Sequence, residues 1–231
     1  MVFFFLLAIR YLVATGKGSG EKAEILDLSD PTMSSTKSCL SEDISYRYGS
    51  AGGMLGTIPV ICGGKDANAN FLKKCLLYGK SQTITMDSKR YYPSSVALNN
   101  SMIWILGGYN GARLSSTEFI SIKNGAVIGP SLPEALDGSC AVKFDKSEYV
   151  YLVGGYNSSG FTNNVWVVNT SNGFNFTKGP SLNATRAYHG CSEMSIGERN
   201  VIVVAGGTPD AGSLASVEIL DPLSNQWVAG N

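Results

Sequence analysis

Histidine is almost missing from this chain: among 231 residues His189 stands alone. Histidine supplies much of the general-base and metal-binding chemistry available near neutral pH, so its scarcity excludes the common catalytic and metal sets built on it. Five cysteines are present (Cys39, Cys62, Cys75, Cys140, Cys191), but none has CxxC spacing, which argues against a zinc knuckle or a thioredoxin-type redox pair. Neither sign of charge is in excess, with 18 Lys plus Arg against 18 Asp plus Glu. Basic residues never run further than Lys73-Lys74 or Lys89-Arg90, so there is no electrostatic footprint for nucleic acid or an anionic membrane. No stretch reaches the ~18 apolar residues a membrane-spanning helix requires. Nor does any segment hold a helical apolar period. What the chain does have is glycine, 27 residues of it, and the glycines are clustered.

The segment "YLVGGYNSSGFTNNVWVV" (151–168) shows the pattern. An apolar, β-branched run stops on two glycines, passes through Asn, Ser and Gly, and a second run begins. The same arrangement recurs at Gly63-Gly64, Gly107-Gly108, Gly154-Gly155 and Gly206-Gly207, with a degenerate copy at Thr15-Gly16. After each pair comes a further short strand: "AEILDL" (23–28), "KKCLLYG" (73–79), "TEFISI" (117–122), "NVWVVN" (164–169) and "VEILDP" (217–222). In three of them a Glu holds the same place, Glu24, Glu118 and Glu218. Ahead of the pair lies another alternating segment, such as "SSVALNN" (94–100) or "GSCAVKF" (138–144), and the connector "GPSLPEAL" returns as "GPSLNATR". Each unit reads as three or four short strands, which predicts an all-β protein. One such unit cannot bury both faces of its sheet, so neighbours must stack. Glycine lets crowded inner backbones approach one another and adopt angles barred to other residues.

This pattern resembles the kelch repeat: an apolar strand ending in Gly-Gly, a following strand with Glu, a Trp about ten residues on, and a proline-containing connector leading to Arg and His. Trp227 fills the Trp position in the last unit and Phe174 is the candidate in the one before. Arg186 and His189 match the connector's end, Arg47 and Arg90 keep only the Arg, and Leu136 departs from it. The resemblance covers essentially the whole chain and implies a β-propeller of four-stranded blades. Five glycine pairs imply about five blades, and the expectation is an incomplete ring. The resemblance is to secreted invertebrate kelch proteins rather than to cytosolic ubiquitin-ligase adaptors.

The N-terminus carries two readings. "MVFFFLLAI" (1–9) has the length and apolarity of a signal-peptide core, yet no basic residue precedes it and Arg10 interrupts it. Alternatively, "RYLVATGKGSGEKAEILDL" lines up with "NVIVVAGGTPDAGSLASVEILDP" and is an ordinary first blade. On the first reading residues 1–16 hold a signal segment that overlaps the first blade strand; on either, residues 11–231 are the propeller.

Enzymatic motifs do not assemble. "GKGSGEK" (16–22) lacks both the dinucleotide fingerprint and GK[ST], and a strand rather than a helix follows it. A copper site of two His and two Tyr, found in one kelch-like oxidase family, cannot be built with one histidine. No cofactor or metal is expected. Arg47, Arg90 and Arg186 recur at equivalent positions and either tie loops together or line one mouth of the channel for an anionic ligand. Tyr109, Asn110, Arg113, Tyr156, Asn157 and Asp210 follow glycine pairs and are the candidate partner contacts at a common mouth. Cys62 and Cys75 flank one hairpin as near cross-strand neighbours and are the expected disulfide, whereas Cys140 and Cys191 read as buried small hydrophobes.

N-glycosylation sequons occur at Asn99, Asn157, Asn169, Asn175 and Asn183, in expected loops or strand ends. Asn157 and Asn183 share one face of the predicted propeller, Asn99 and Asn175 the other, which leaves residues 17–95 the barer docking region. The best reading is a non-enzymatic, secreted or extracellular module binding a protein or glycan partner. The alternatives are a cytoplasmic adaptor propeller that reads acidic motifs, and a propeller-based lyase, epimerase or cyclase.

Overall fold

A computed structural model describes residues 47–221 and 223–230, together with the backbone of four earlier strands between 3 and 38. The first sheet comprises β1 (Phe3–Leu7), β2 (Arg10–Ala14), β3 (Glu24–Asp27) and β4 (Lys37–Ser38). The second comprises β5 (Ala51–Leu55), β6 (Ile58–Cys62), β7 (Lys74–Leu77) and β8 (Thr83–Thr85). The third holds β9 (Ser94–Asn99), β10 (Met102–Leu106), β11 (Thr117–Ser121) and β12 (Gly125–Ile128). In the fourth, β13 (Cys140–Lys143) and β14 (Tyr149–Val153) are followed by a small hairpin of β15 (Tyr156–Asn157) and β16 (Gly160–Phe161). Its outer strands are β17 (Val165–Asn169) and β18 (Asn175–Lys178). The last sheet is β19 (Gly190–Ile196), β20 (Arg199–Ala205), β21 (Val217–Asp221) and β22 (Gln226–Gly230).

All five four-stranded sheets are antiparallel meanders, and the four within 47–230 stand as the blades of a β-propeller. The first strands are innermost: β5 packs on β9, β9 on β13 and β13 on β19. No helix occurs among the described residues, and none is long and apolar enough to cross a membrane. The expected strands 94–100, 117–122, 138–144, 164–169 and 217–222 all form, each trimmed by a residue or two at its ends.

The second strand of each blade explains the apolar runs. Side chains alternate across a sheet, so along β10 Ile103 and Ile105 enter the cluster shared with β5–β8, where Val60, Leu77 and Ile84 lie. Trp104 and Leu106 point the other way, to Leu136, Val150 and Leu152 of the next blade. A strand buried on both faces carries no polar alternation. The third interface repeats this with Val153, Val165, Ile202, Val204 and Trp227. Each apolar cluster is thus a joint between blades rather than the interior of one.

The glycine pair closes each joint. Gly64, Gly108 and Gly155 donate their amides to the carbonyls of Arg90, Leu136 and Arg186 in the next connector, at 2.7, 2.7 and 2.8 Å. The preceding glycine adopts φ of +61° at Gly107 and +57° at Gly154. A Cβ there would lie 2.4 Å from the Leu136 oxygen and 2.5 Å from that of Arg186. Neither the angle nor the contact admits a side chain.

Two sequence expectations are corrected. Cys140 and Cys191 are not free buried thiols; they form a disulfide across 51 residues that links the innermost strands of two blades. Flanking sequence gives no sign of this, because the two strands are brought side by side only by blade packing. Phe174 does not occupy the place of Trp227. Trp227 pairs with Leu220, and the same register in the preceding blade pairs Val168 with Phe176. Phe174 sits in the turn with φ of +56°, as Asn225 does at +53°, and packs edge-on to Trp104 and tilted against Phe119. The expected bridge is present: Cys62 and Cys75 face each other across β6 and β7 and are bonded. Cys39 lies outside the described residues.

By the restriction each bridge places on the unfolded chain, replacing Cys140 and Cys191 together by Ser is expected to cost about 4 kcal/mol, and the shorter Cys62–Cys75 loop about 3 kcal/mol. Urea unfolding of the two double variants measures both losses.

Candidate functional site

Because β9 and β10 pair with Leu106 opposite Ser94, the start of each inner strand and the glycine pair lie at the same end of the blade. Connectors and glycine loops therefore share one mouth of the propeller, and the tight first hairpins share the other. Two layers of side chains build the glycine mouth, a buried one that fastens the blades and a half-exposed one above it.

The buried layer contains the three arginines. Arg90 is fully buried; its guanidinium donates to the carbonyls of Gly107 and Ser116 at 2.7 and 2.8 Å and meets Glu118 at 2.9 Å. Glu118 in turn accepts the amides of Asp87 and Ser88. Arg186 repeats the set with Gly206, Ser216 and Glu218, and Glu218 holds the amides of Asn183 and Ala184. Arg47 donates to Gly63 and Lys74, and burial pushes its pKa down to about 10, still charged at neutral pH. These arginines tie a connector to its blade and present no surface to a ligand at the mouth.

The blade with Leu136 solves the same position differently. Gly107, Gly154 and Gly206 bond Ser116, Asn164 and Ser216, so two residues on, Trp166 stands where the others have Glu118 and Glu218. Leu136 and Trp166 belong to one apolar cluster. The indole donates to Glu134 of the connector at 2.7 Å, and Glu134 also takes the side-chain amides of Asn157 and Asn164. An ion pair is replaced by an apolar pair, and the carboxylate moves to the connector.

His189 is also buried, 1% exposed, close beneath Gly154 and Gly207. Burial first, and then the Arg186 charge, push its pKa down to about 3, so the ring is neutral and inaccessible to a ligand.

Above this layer a backbone chain runs from blade to blade: Tyr92 donates to Gly49, Gly138 to Tyr92 and Tyr188 to Gly138, at 2.7 to 2.9 Å. All four residues have positive φ, from +51° to +65°. Glycine and tyrosine alternate because each glycine lies under a ring: a Cβ on Gly138 would be 2.5 Å from Tyr188, and one on Gly49 would be 2.3 Å from Tyr91. The rings of Tyr91, Tyr92 and Tyr188 adjoin, with centroids 4.1 and 4.7 Å apart. Burial first, and then its neighbours' hydroxyls, hold the Tyr91 phenol well above the ordinary range. Tyr188 is raised likewise, by burial and then by Asp137, whose carboxylate accepts its hydroxyl at 2.8 Å. Burial raises Asp137 itself, against the pull of Tyr188 and Arg113.

The half-exposed layer brings several of the expected contact residues together. Tyr109 bridges to Tyr91 and Arg113, Arg113 pairs with Asp137 at 2.9 Å, and its guanidinium stacks 4.1 Å from the Tyr156 ring. Asp210 approaches Gly160 of the β15–β16 hairpin, and Asn110 is exposed at the loop tip. Sequence reasoning missed Lys65, whose ammonium lies 4.6 and 4.4 Å from the rings of Phe71 and Tyr91. It also missed Tyr92, Asp137 and Tyr188, although aligning "RYG", "RYY", "LDG" and "RAY" in the connectors displays the alternation.

The sequons divide as the topology requires, Asn157 and Asn183 at the glycine mouth and Asn99, Asn169 and Asn175 at the other end. The Asn157 amide nitrogen is engaged with Glu134, whereas Asn99 and Asn169 bond their own sequon serines through Oδ1. At the opposite mouth Met54, Leu98, Asn99, Lys143, Asp145 and Glu193 line a cavity of about 330 Å³.

No protein-family profile matches this chain, and no curated protein matches it.

Replacing Arg90 by Leu strands the buried Glu118 carboxylate and is expected to cost about 3–5 kcal/mol. Arg90→Leu with Glu118→Leu should be no less stable than the single variant, and a double-mutant cycle in urea would expose simple additivity instead. His189 titrates near 6.5 when unfolded, so between there and its folded value the unfolded chain binds the extra proton. Stability is therefore expected to fall as pH drops from about 6.5 to about 4, with Asp137 opposing the trend because its raised carboxyl takes up its proton early in the folded state. Urea midpoints of His189→Gln across that range should show a flatter slope than the wild type.

Proposed function

We propose that this chain is a kelch-type propeller that works outside the cell as a non-enzymatic interaction module, with the glycine mouth as its contact surface. One observation carries the reading: the contiguous, half-exposed surface of Lys65, Phe71, Tyr91, Tyr109, Arg113 and Tyr156, set over a buried layer in which Arg90 and Glu118 are fully engaged. Tyrosine and arginine on a rigid frame give large contact area with little ordering entropy, the composition of binding hot spots. Loops on a stiff scaffold are the usual carriers of binding, and the propeller fold is compatible with a protein-interaction module.

Placement outside the cell is supported by two disulfides, one joining two blades, since such bonds persist in oxidising compartments. On this reading residues 1–16 carry the targeting signal, the sequons at Asn99 and Asn169 take glycans, and partner contacts extend from Tyr109, Asn110, Arg113 and Tyr156 toward Asn157 and Asp210. Of the two sequence readings of Arg47, Arg90 and Arg186, ties between loops or a lining for an anionic ligand, their internal hydrogen bonds fit the first, which leaves Lys65 and Arg113 as the cations a partner meets.

The test is the intact mass of the protein made through a secretory host, unreduced, before and after N-glycosidase. The reading expects secretion, a glycan-dependent mass shift, and peptides linked through Cys62–Cys75 and Cys140–Cys191. A bare chain retained in the cell with free thiols would overturn it.

A further inference from the structure

Resting on that reading of the glycine mouth, we infer that the strip from Lys65 to Tyr156 is a binding site for an anionic saccharide, a sugar ring bearing a carboxylate or sulfate. The strip is continuous. Lys65 lies against Phe71 and Tyr91, the Phe71 ring is 5.7 Å from that of Tyr109, Tyr109 bridges to Arg113, and Arg113 covers Tyr156. It offers half-exposed aromatic rings, phenolic hydroxyls and two cations held over the rings, the groups that receive the apolar C–H surface, the hydroxyls and the acid of such a sugar.

The local charge favours an anion. Among the described residues Lys65 makes no ion pair; the neighbouring Asp66 carboxylate is turned into its own loop, held by the amides of Asn68 and Asn70 and the Asn70 side chain. Arg113 presents only its Nε edge to Asp137. The four N–H donors of its two terminal amino groups therefore remain for a ligand, without a hydrogen-bond partner among the described residues.

Main-chain bonding separates a saccharide from an acidic peptide. An extended peptide gains affinity by pairing its backbone with an open edge. Here the strip offers no such edge: Lys65 exchanges its main-chain bonds with Tyr48 and Tyr91 with Tyr109, and the open main-chain groups of Phe71 and Arg113 are single positions, with Lys73 and Ser115 two residues on already accepting from Met86 and Leu132. Recognition falls to rings and cations, which suits a ligand without a polyamide backbone.

The experiment compares sialyllactose with lactose, and both with an oligoglutamate decapeptide, by calorimetry on the wild-type protein and on the variants Lys65→Gln, Arg113→Gln and Arg113→Lys, each first shown by thermal melting to be folded. The inference expects sialyllactose to bind and lactose to bind at least about tenfold more weakly, since an acid facing a cation supplies roughly that much. Lys65→Gln and Arg113→Gln should each weaken sialyllactose by about tenfold or more. Arg113→Lys should retain part of the affinity. Preference for oligoglutamate overturns the saccharide while leaving an interaction module at this mouth. Equal binding of lactose, binding indifferent to both charge-removing variants, or no binding of sialyllactose overturns it outright; secretion and glycosylation are read separately and are untouched by any of these results.

Discussion

The three joints between blades in residues 47–230 hang on the bond between the second glycine of a pair and the carbonyl of the next connector. At Gly64–Arg90, Gly108–Leu136 and Gly155–Arg186 the two backbones meet at 2.7 to 2.8 Å, a distance available only because the preceding glycine has no side chain. The apolar clusters supply the burial that drives one blade onto the next, but hydrophobic contact is non-directional. The glycine bond supplies the direction. It sets which carbonyl docks, and hence where the connector, the inner strand and the mouth residues of the following blade lie.

That joint places a demand on the residue whose carbonyl is used. Its side chain is carried inward, into space closed by two sheets. Arg90 and Arg186 meet the demand with a buried ion pair in which the carboxylate also holds two connector amides, so that few polar atoms are left over. Leu136 meets it with Trp166 and relocates the carboxylate to Glu134, which then serves the indole and two asparagine amides. Both arrangements give nearly all of these buried polar groups a partner, with Arg186 Nε an exception. The second avoids taking two charges out of water.

The same geometry makes the mouth rigid. A run of left-handed residues passes backbone hydrogen bonds from Gly49 to Tyr188, and their rings fill the space over the glycines. Above this floor the side chains of Arg113 and Tyr156 are braced by each other and by Asp137, and the Tyr109 ring rests against Phe71. A surface held this way meets a ligand with little left to order, which is where affinity is otherwise lost. The Cys140–Cys191 bond reinforces the ring below it, between the innermost strands of two blades.

Strand positions, the repeat and the disulfide between Cys62 and Cys75 were legible in the chain itself, because each rests on neighbours close in sequence: alternation along a strand, glycine at a fixed offset, two cysteines across one hairpin. Interactions between blades were not. The pairing of Cys140 with Cys191, the exchange of Arg and Glu for Leu136 and Trp166, and the inward burial of Arg47, Arg90 and Arg186 join residues of different repeats or different layers. Phe174 and Phe176 show the limit at its finest: both rings reach Trp104, one from a left-handed turn residue and one from the strand, and only the register shows that Phe176 matches Trp227. Lys65 and Phe71 reach Tyr91 and Tyr109 only when two blades stand side by side. Local chemistry determined the blades; how close the tertiary structure brings them decided which side chains are fastened inside and which are left at the mouth.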